Sequence, residues 1–434
     1  MKKWLFSSTD NSPLIVFRII FGLLITLESW GAILTGWVHR TLIEPKFTFN
    51  FIHLDFLQPL PGNGMYFYFL IMGLFGVFIM LGYRYFFSII AFTTLWASVY
   101  LMQKSSYNNH YYLLALINIL MCMLPANKDL SLDAKFGYTK RTQLMPQWSR
   151  FLIIGQLFIV YTFASVAKFY PDWLSTRVAA NLMSSKSNFY IIGEVLQQKW
   201  AHYIITYTGI LFDLLIIPAL LYKPTRKWAF IISVFFHLYN SFVLHIGIFP
   251  YLALGFTVFF FEAELIRKIF YPKAFKLIKP EGANFKHSNL VLAFLTIWLF
   301  IQVALPLRHH FIKGDVLWTE EGHRLSWRMM LRSKRGKNTF YVVDKETKKR
   351  TRIKQRDYLT KKQVRSMSGK PDMIWQFAQH LKKEHQKQGK EIEVYVKNKT
   401  SVNKSKYQKL IDPKTNLADV KWNYWGHNDW ILIN

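Results

Sequence analysis

The chain has 434 residues, of which 52% are hydrophobic and 18% aromatic, and its apolar residues fall in long blocks, so a bilayer is the solvent for most of it. A formal net charge of +30 would suggest a nucleic-acid binder in a soluble protein, but the basic residues gather in loops and after residue 306. Anionic lipid is the expected partner of that charge, and no nucleic acid is. The single cysteine, Cys122, lies inside an apolar run, so no intrachain disulfide can form.

Met1-Lys-Lys is followed by a polar segment and then a full-length span rather than by a short apolar core and cleavage site, so the N-terminus is expected to be retained. Nine apolar segments follow: 13–36, 65–82, 85–102, 111–125, 151–168, 202–222, 228–246, 249–263 and 288–306. Several are shorter than the roughly 20 residues that cross a bilayer upright, so the count of nine holds to within one or two. Ser12-Pro13 opens the first, because proline is tolerated at the first helical position. Gly247-Ile-Phe-Pro250 breaks a long apolar run into two antiparallel helices.

With a cytoplasmic N-terminus, the inner loops carry Arg84; Lys128, Lys135, Lys140, Arg141 and Arg150; Lys223, Arg226 and Lys227; and a cluster from Arg267 to Lys286. The outer loops are poorer in basic residues for their length, so the positive-inside rule places the C-terminal part outside. The expected location is a multi-pass position in a bacterial inner membrane.

The expected division is a transmembrane helical bundle over 1–306 and a small mixed α/β extramembrane domain over 307–434, where 30 Lys and Arg face 13 Asp and Glu. Thr339–Val343 and Glu391–Val396 are rich in β-branched and aromatic residues and read as strands. Between them, Met373, Ile374, Phe377 and Leu381 recur at helical spacing.

The fifth span ends in Lys168, and on this topology the fourth begins at the same depth with Tyr107-Asn-Asn-His110-Tyr111. Lys168 is either an anchor whose long side chain snorkels to the interface or a buried amine able to act as a base. A base populated as free amine would suit a weakly acidic, lipid-soluble substrate such as a quinol or phenol. Asn109 and Tyr161 would share that polar pocket with Lys168 and His110. In the seventh span His237 and Ser241 share one face, with Asn240 adjacent, either as interhelical hydrogen bonding or as pocket lining.

His237 and His245 lie eight residues apart, about 12 Å along one helix, and cannot both bind one haem. No Gly-rich phosphate loop, His-Glu-x-x-His zinc pattern or Gly-x-Ser-x-Gly turn occurs, and no metal site is expected. After the ninth span, Arg308, Arg324, Trp327 and Arg328 would lie over the mouth of the bundle, as a carboxylate-binding surface or as an interfacial belt of basic and aromatic residues.

Several ordered motifs resemble a known family. Val16-Phe-Arg18, Leu57-Gln-Pro-Leu-Pro61, Tyr107-Asn-Asn-His110, Gly155 to Tyr161 continuing to Lys168 and Asp172-Trp173, Phe236-His237 with Asn240-Ser241, Trp327-Arg-Met-Met330 and Ile411-Asp-Pro413 are together similar to the vitamin K-dependent γ-glutamyl carboxylases. The likeness runs along nearly the whole chain and is to a bacterial-type member with an HTTM-type membrane domain.

It implies an enzyme that couples oxygenation of vitamin K hydroquinone to its epoxide with carboxylation of peptide glutamate to γ-carboxyglutamate. Lys168 would deprotonate the hydroquinone and His110 would assist. O2 and CO2 would be co-substrates, a menaquinol or phylloquinol-like compound the quinol, and a glutamate-containing peptide or protein the partner. Animal members carry a second lysine where this chain has Ala167, and they tether the extramembrane domain by a disulfide that one cysteine cannot make. Quinol epoxidation without peptide carboxylation, and quinone or lipid binding without catalysis, are the alternative readings.

Overall fold

The computed structural model describes residues 2–271 and 288–433. All nine expected spans are helical where described. Seven are long and apolar enough to cross a membrane. They are α1 (Ser12–Leu34), α2 (Gly64–Leu81), α3 (Tyr85–Met102), α5 (Gln147–Val166), α6 (Lys199–Leu221), α7 (Lys223–Leu244) and α9 (Ser288–Leu307).

The other two are shorter than their apolar runs. Asn108 caps α4 (Asn109–Met121) through the Tyr111 amide, and Pro125 follows closely after its end, leaving 13 residues, about 20 Å by helical rise. With Leu113, Ile117 and Leu120 all buried, α4 is a core helix that other helices surround. The short α8 (Phe249–Phe256) continues as a 3₁₀ turn to Phe259. The expected break is present: His245 and Gly247 take positive φ between α7 and α8, and Pro250 sits in the first turn of α8. Lys273, Lys276, Lys279 and Lys286 of the expected basic cluster lie outside the described residues.

Small residues let α1 and α2 approach closely. A Cβ on Gly22 would collide with the Met80 backbone, and one on Gly76 would stand 2.5 Å from Thr26 Oγ1. At the bundle end remote from the extramembrane domain, the buried Arg18 guanidinium donates to the carbonyls of Ala126 at 2.8 Å and Leu130 at 2.6 Å. Asp133 accepts from the Arg84 and Tyr85 amides, which closes the same end.

The C-terminal domain is a three-stranded antiparallel sheet, β1 (Lys334–Asp344), β2 (Arg350–Arg352) and β3 (Ile392–Val402), ordered β2-β1-β3. The helix α10 (Pro371–Gln386) covers it with Met373, Ile374, Phe377 and Leu381 buried, as their spacing predicts. Alternate strand residues Phe340 and Val342, then Val394 and Val396, point into the same core.

Bundle and domain interlock without a disulfide between them. The α1–α2 connection feeds Phe49 into the domain core, while Phe47 stacks on His380 with centroids 4.2 Å apart. Beside it, Lys104 and Arg324 both meet Asp372 Oδ2, at 2.6 and 2.5 Å. Burial alone would raise the Asp372 carboxyl, but Arg324 and Lys104 outweigh it and hold it well below the usual carboxylate range. Burial likewise brings Lys104 down to about 8, with Asp372 opposing.

Two outcomes follow for stability. Gly22→Val should part α1 from α2 at a cost of about 1–3 kcal/mol, read as a lower unfolding midpoint in detergent; an unchanged midpoint contradicts the close packing. Because folding depresses Asp372, its contribution is complete above the unfolded carboxyl value of about 4 and is lost as pH falls through the lower folded value. Asp372→Ala should therefore cost about 3–5 kcal/mol at neutral pH and progressively less in acid, measured by limited proteolysis of the domain junction.

Candidate functional site

Lys168 follows the last turn of α5 and is only 7% exposed, so it does not snorkel. Its Nζ donates to the Ala164 carbonyl at 3.0 Å and contacts Asp213 Oδ2 on α6. An ionisable group within an apolar span needs such a partner. The sequence reading missed Asp213, although it is the only acidic residue in the run from Lys199 to Leu221 and that isolation was itself a signal.

Both residues line a cavity of about 430 Å³, together with His110, Tyr161, His237 and Asn240. Four helices thus bring polar groups to one end of an otherwise apolar chamber. Ile204 and Ile205 of α6 and Ile232, Phe235 and Phe236 of α7 form its walls, and Met329 and Met330 reach it from the segment after α9. His110 stacks on Phe249 with centroids 4.3 Å apart. His237 Nε2 lies 3.2 Å from the Tyr161 hydroxyl, whereas its buried Nδ1 has no partner among the described residues. A histidine and an asparagine beside a mostly apolar chamber suit a ligand carrying a hydroxyl or carbonyl.

Asn109 is not part of this lining. It donates to the Arg328 carbonyl at 3.2 Å and accepts from Tyr107 at 2.9 Å, so it positions the segment after α9 instead.

The four residues expected to meet a carboxylate are divided. Arg308 and Arg324 line a cavity of about 350 Å³ walled by Trp422 and Trp425, with Arg324 already paired to Asp372. Arg328 lines a separate cavity of about 540 Å³ and contacts His309 at 3.3 Å. Trp327 is 1% exposed and stacks on Tyr112, a packing role rather than a surface one. Positive φ at Leu325, Trp327 and Met330 bends this segment so that successive side chains part, which spacing alone cannot reveal. Among the described residues no group of three or more His, Cys, Asp and Glu is placed to hold a metal ion.

The HTTM domain family matches residues 6–264, and the family described as vitamin K-dependent gamma-carboxylase, lumenal domain, matches residues 287–434. The second match takes in α9, one helix earlier than the division at residue 306. No solved structure matches the chain. The two matches lie in the order bundle then domain, and the chain is a multi-pass membrane protein that belongs to the vitamin K-dependent γ-carboxylase family.

Proposed function

We propose that the protein oxygenates a reduced naphthoquinone of the vitamin K type and couples that reaction to carboxylation of glutamate in a peptide or protein. The observation that carries this reading is the buried Lys168 amine in contact with Asp213 at the polar end of an apolar cavity. About 430 Å³ suits a small bicyclic ring, and the His110, His237 and Asn240 side chains lining the cavity offer its hydroxyl polar partners. Bound reduced vitamin K supplies, with O2, the strong base that removes the glutamate γ-proton before CO2 is captured.

The chain's own residues do the rest. Lys168 Nζ, as free amine, takes the quinol proton, and the ammonium formed finds the Asp213 carboxylate already in contact, so the transfer leaves no uncompensated cation in the apolar cavity. His110 and His237 hold the ring's polar edge, with Tyr161 fixing the His237 ring. Apolar walls exclude the water that would quench a carbanion. For the glutamate carboxylate, Arg308 and Arg328 are the available guanidiniums: among the described residues neither forms an ion pair with an acid, whereas Arg324 does.

The basic loop residues Arg84, Lys135, Arg141 and Lys223 all belong to the bundle end away from the C-terminal domain, which favours that domain on the outer face of the membrane.

Membranes given reduced vitamin K, labelled CO2 and a glutamyl peptide should yield both epoxide and labelled γ-carboxyglutamate. Epoxide without label would reduce the activity to quinol oxygenation, and neither product from folded protein would refute the proposal. Lys168→Ala should lower both products by about 10²–10⁴ with quinol binding retained. Asp213→Asn should lower turnover at least about tenfold, since the ammonium then forms without its counter-ion; unchanged turnover would remove Asp213 from the mechanism.

A further inference from the structure

A second intramembrane carboxylate lies outside the cavity described above. Glu28 sits on α1, six residues before Leu34 and thus about 9 Å from the helix end. Among the described residues its only hydrogen-bond partner is a phenol, Tyr111, at 2.5 Å, and no Lys, Arg or His there forms an ion pair with it. It lines a separate cavity of about 30 Å³ whose walls are Trp37, Phe69, Trp96, Tyr100, Tyr107 and Tyr111. Tyr100 packs there against Tyr107, with ring centroids 5.9 Å apart.

A carboxylate backed by aromatic rings attracts an organic cation through charge and ring quadrupole together. A primary ammonium also donates hydrogen bonds to the carboxylate, which a trimethylammonium has no N–H to do.

The mouth has the opposite charge. Ser106 lines the cavity, and Lys362 of the extramembrane domain donates to its hydroxyl at 2.7 Å while standing 5.9 Å from the Trp37 ring centre. An anion at the mouth and an ammonium within is the charge pattern of a zwitterionic headgroup. We infer that this cavity binds the headgroup of an ethanolamine phospholipid, ammonium on Glu28 and phosphate toward Lys362. The site is independent of the quinol chemistry. It joins α1, α3 and α4 to the domain residue Lys362, so the lipid would bridge bundle and domain.

Native mass spectrometry of the full-length protein released from nanodiscs holding equal phosphatidylethanolamine, phosphatidylcholine and phosphatidylglycerol tests this. Phosphatidylethanolamine should be retained preferentially, and Glu28→Gln should reduce that retention at least about tenfold. Equal retention of the three lipids, or wild-type retention by Glu28→Gln, overturns the inference. Displacement of the lipid by an equimolar amount of free ethanolamine would overturn the lipid as source and reassign the site to small amines. Should Glu28→Gln not fold, Lys362→Gln provides the second variant, with a weaker loss of phosphatidylethanolamine retention expected and unchanged retention contradicting the inference.

Discussion

A carboxylate in the middle of an apolar helix persists only with a partner, and Asp213 has the Lys168 amine. That contact holds the end of α5 against α6 and sets the floor of the cavity. It also explains why Lys168 turns inward rather than to the interface: Asp213 and the Ala164 carbonyl satisfy its donors inside. α4 is short for a related reason. Beginning at Asn108 and surrounded by other helices, it delivers His110 to the depth of Lys168 instead of crossing the whole bundle.

The domain is held over this chamber by packing and charge. Phe49 is shared with the domain core, and the pair of cations on Asp372 joins the α3–α4 connection to α10. A buried carboxylate with two cations stabilises only while the three remain together, since removal of one leaves charge unpaired in a dry place. The arrangement places Met329 and Met330 over the cavity and Asn109 under the Arg328 carbonyl. Docking and site geometry are therefore one structure: loosening the junction disturbs the chamber roof.

Much of this was legible in the sequence. Apolar runs and loop charges were enough to put Lys168 and His110 at one depth, whereas helical spacing paired His237 with Ser241, and it is the adjacent Asn240 that lines the cavity while Ser241 meets Tyr251. Asp213 escaped because a run read for its average hydropathy hides a single charged residue. Asn109 was assigned to the cavity because it neighbours His110, yet adjacent helical residues point about 100° apart, and its side chain faces the domain. The Arg308 to Arg328 group was read as one surface because nothing in its spacing reports the positive φ angles at Leu325 and Trp327. Spans of 13 and 8 helical residues were overestimated because apolar composition continues past both helix ends, through Leu124 after Met121 and through Phe261 after Phe256.

The central claim is that Lys168 receives the quinol proton. A structure of the full-length protein with reduced vitamin K bound measures it most directly. The account predicts a ring hydroxyl oxygen within about 2.6–3.2 Å of Lys168 Nζ, or one water away, inside the cavity shared with His110 and His237. A ring seated in another cavity, or in this one with its hydroxyls turned from Lys168, would contradict it.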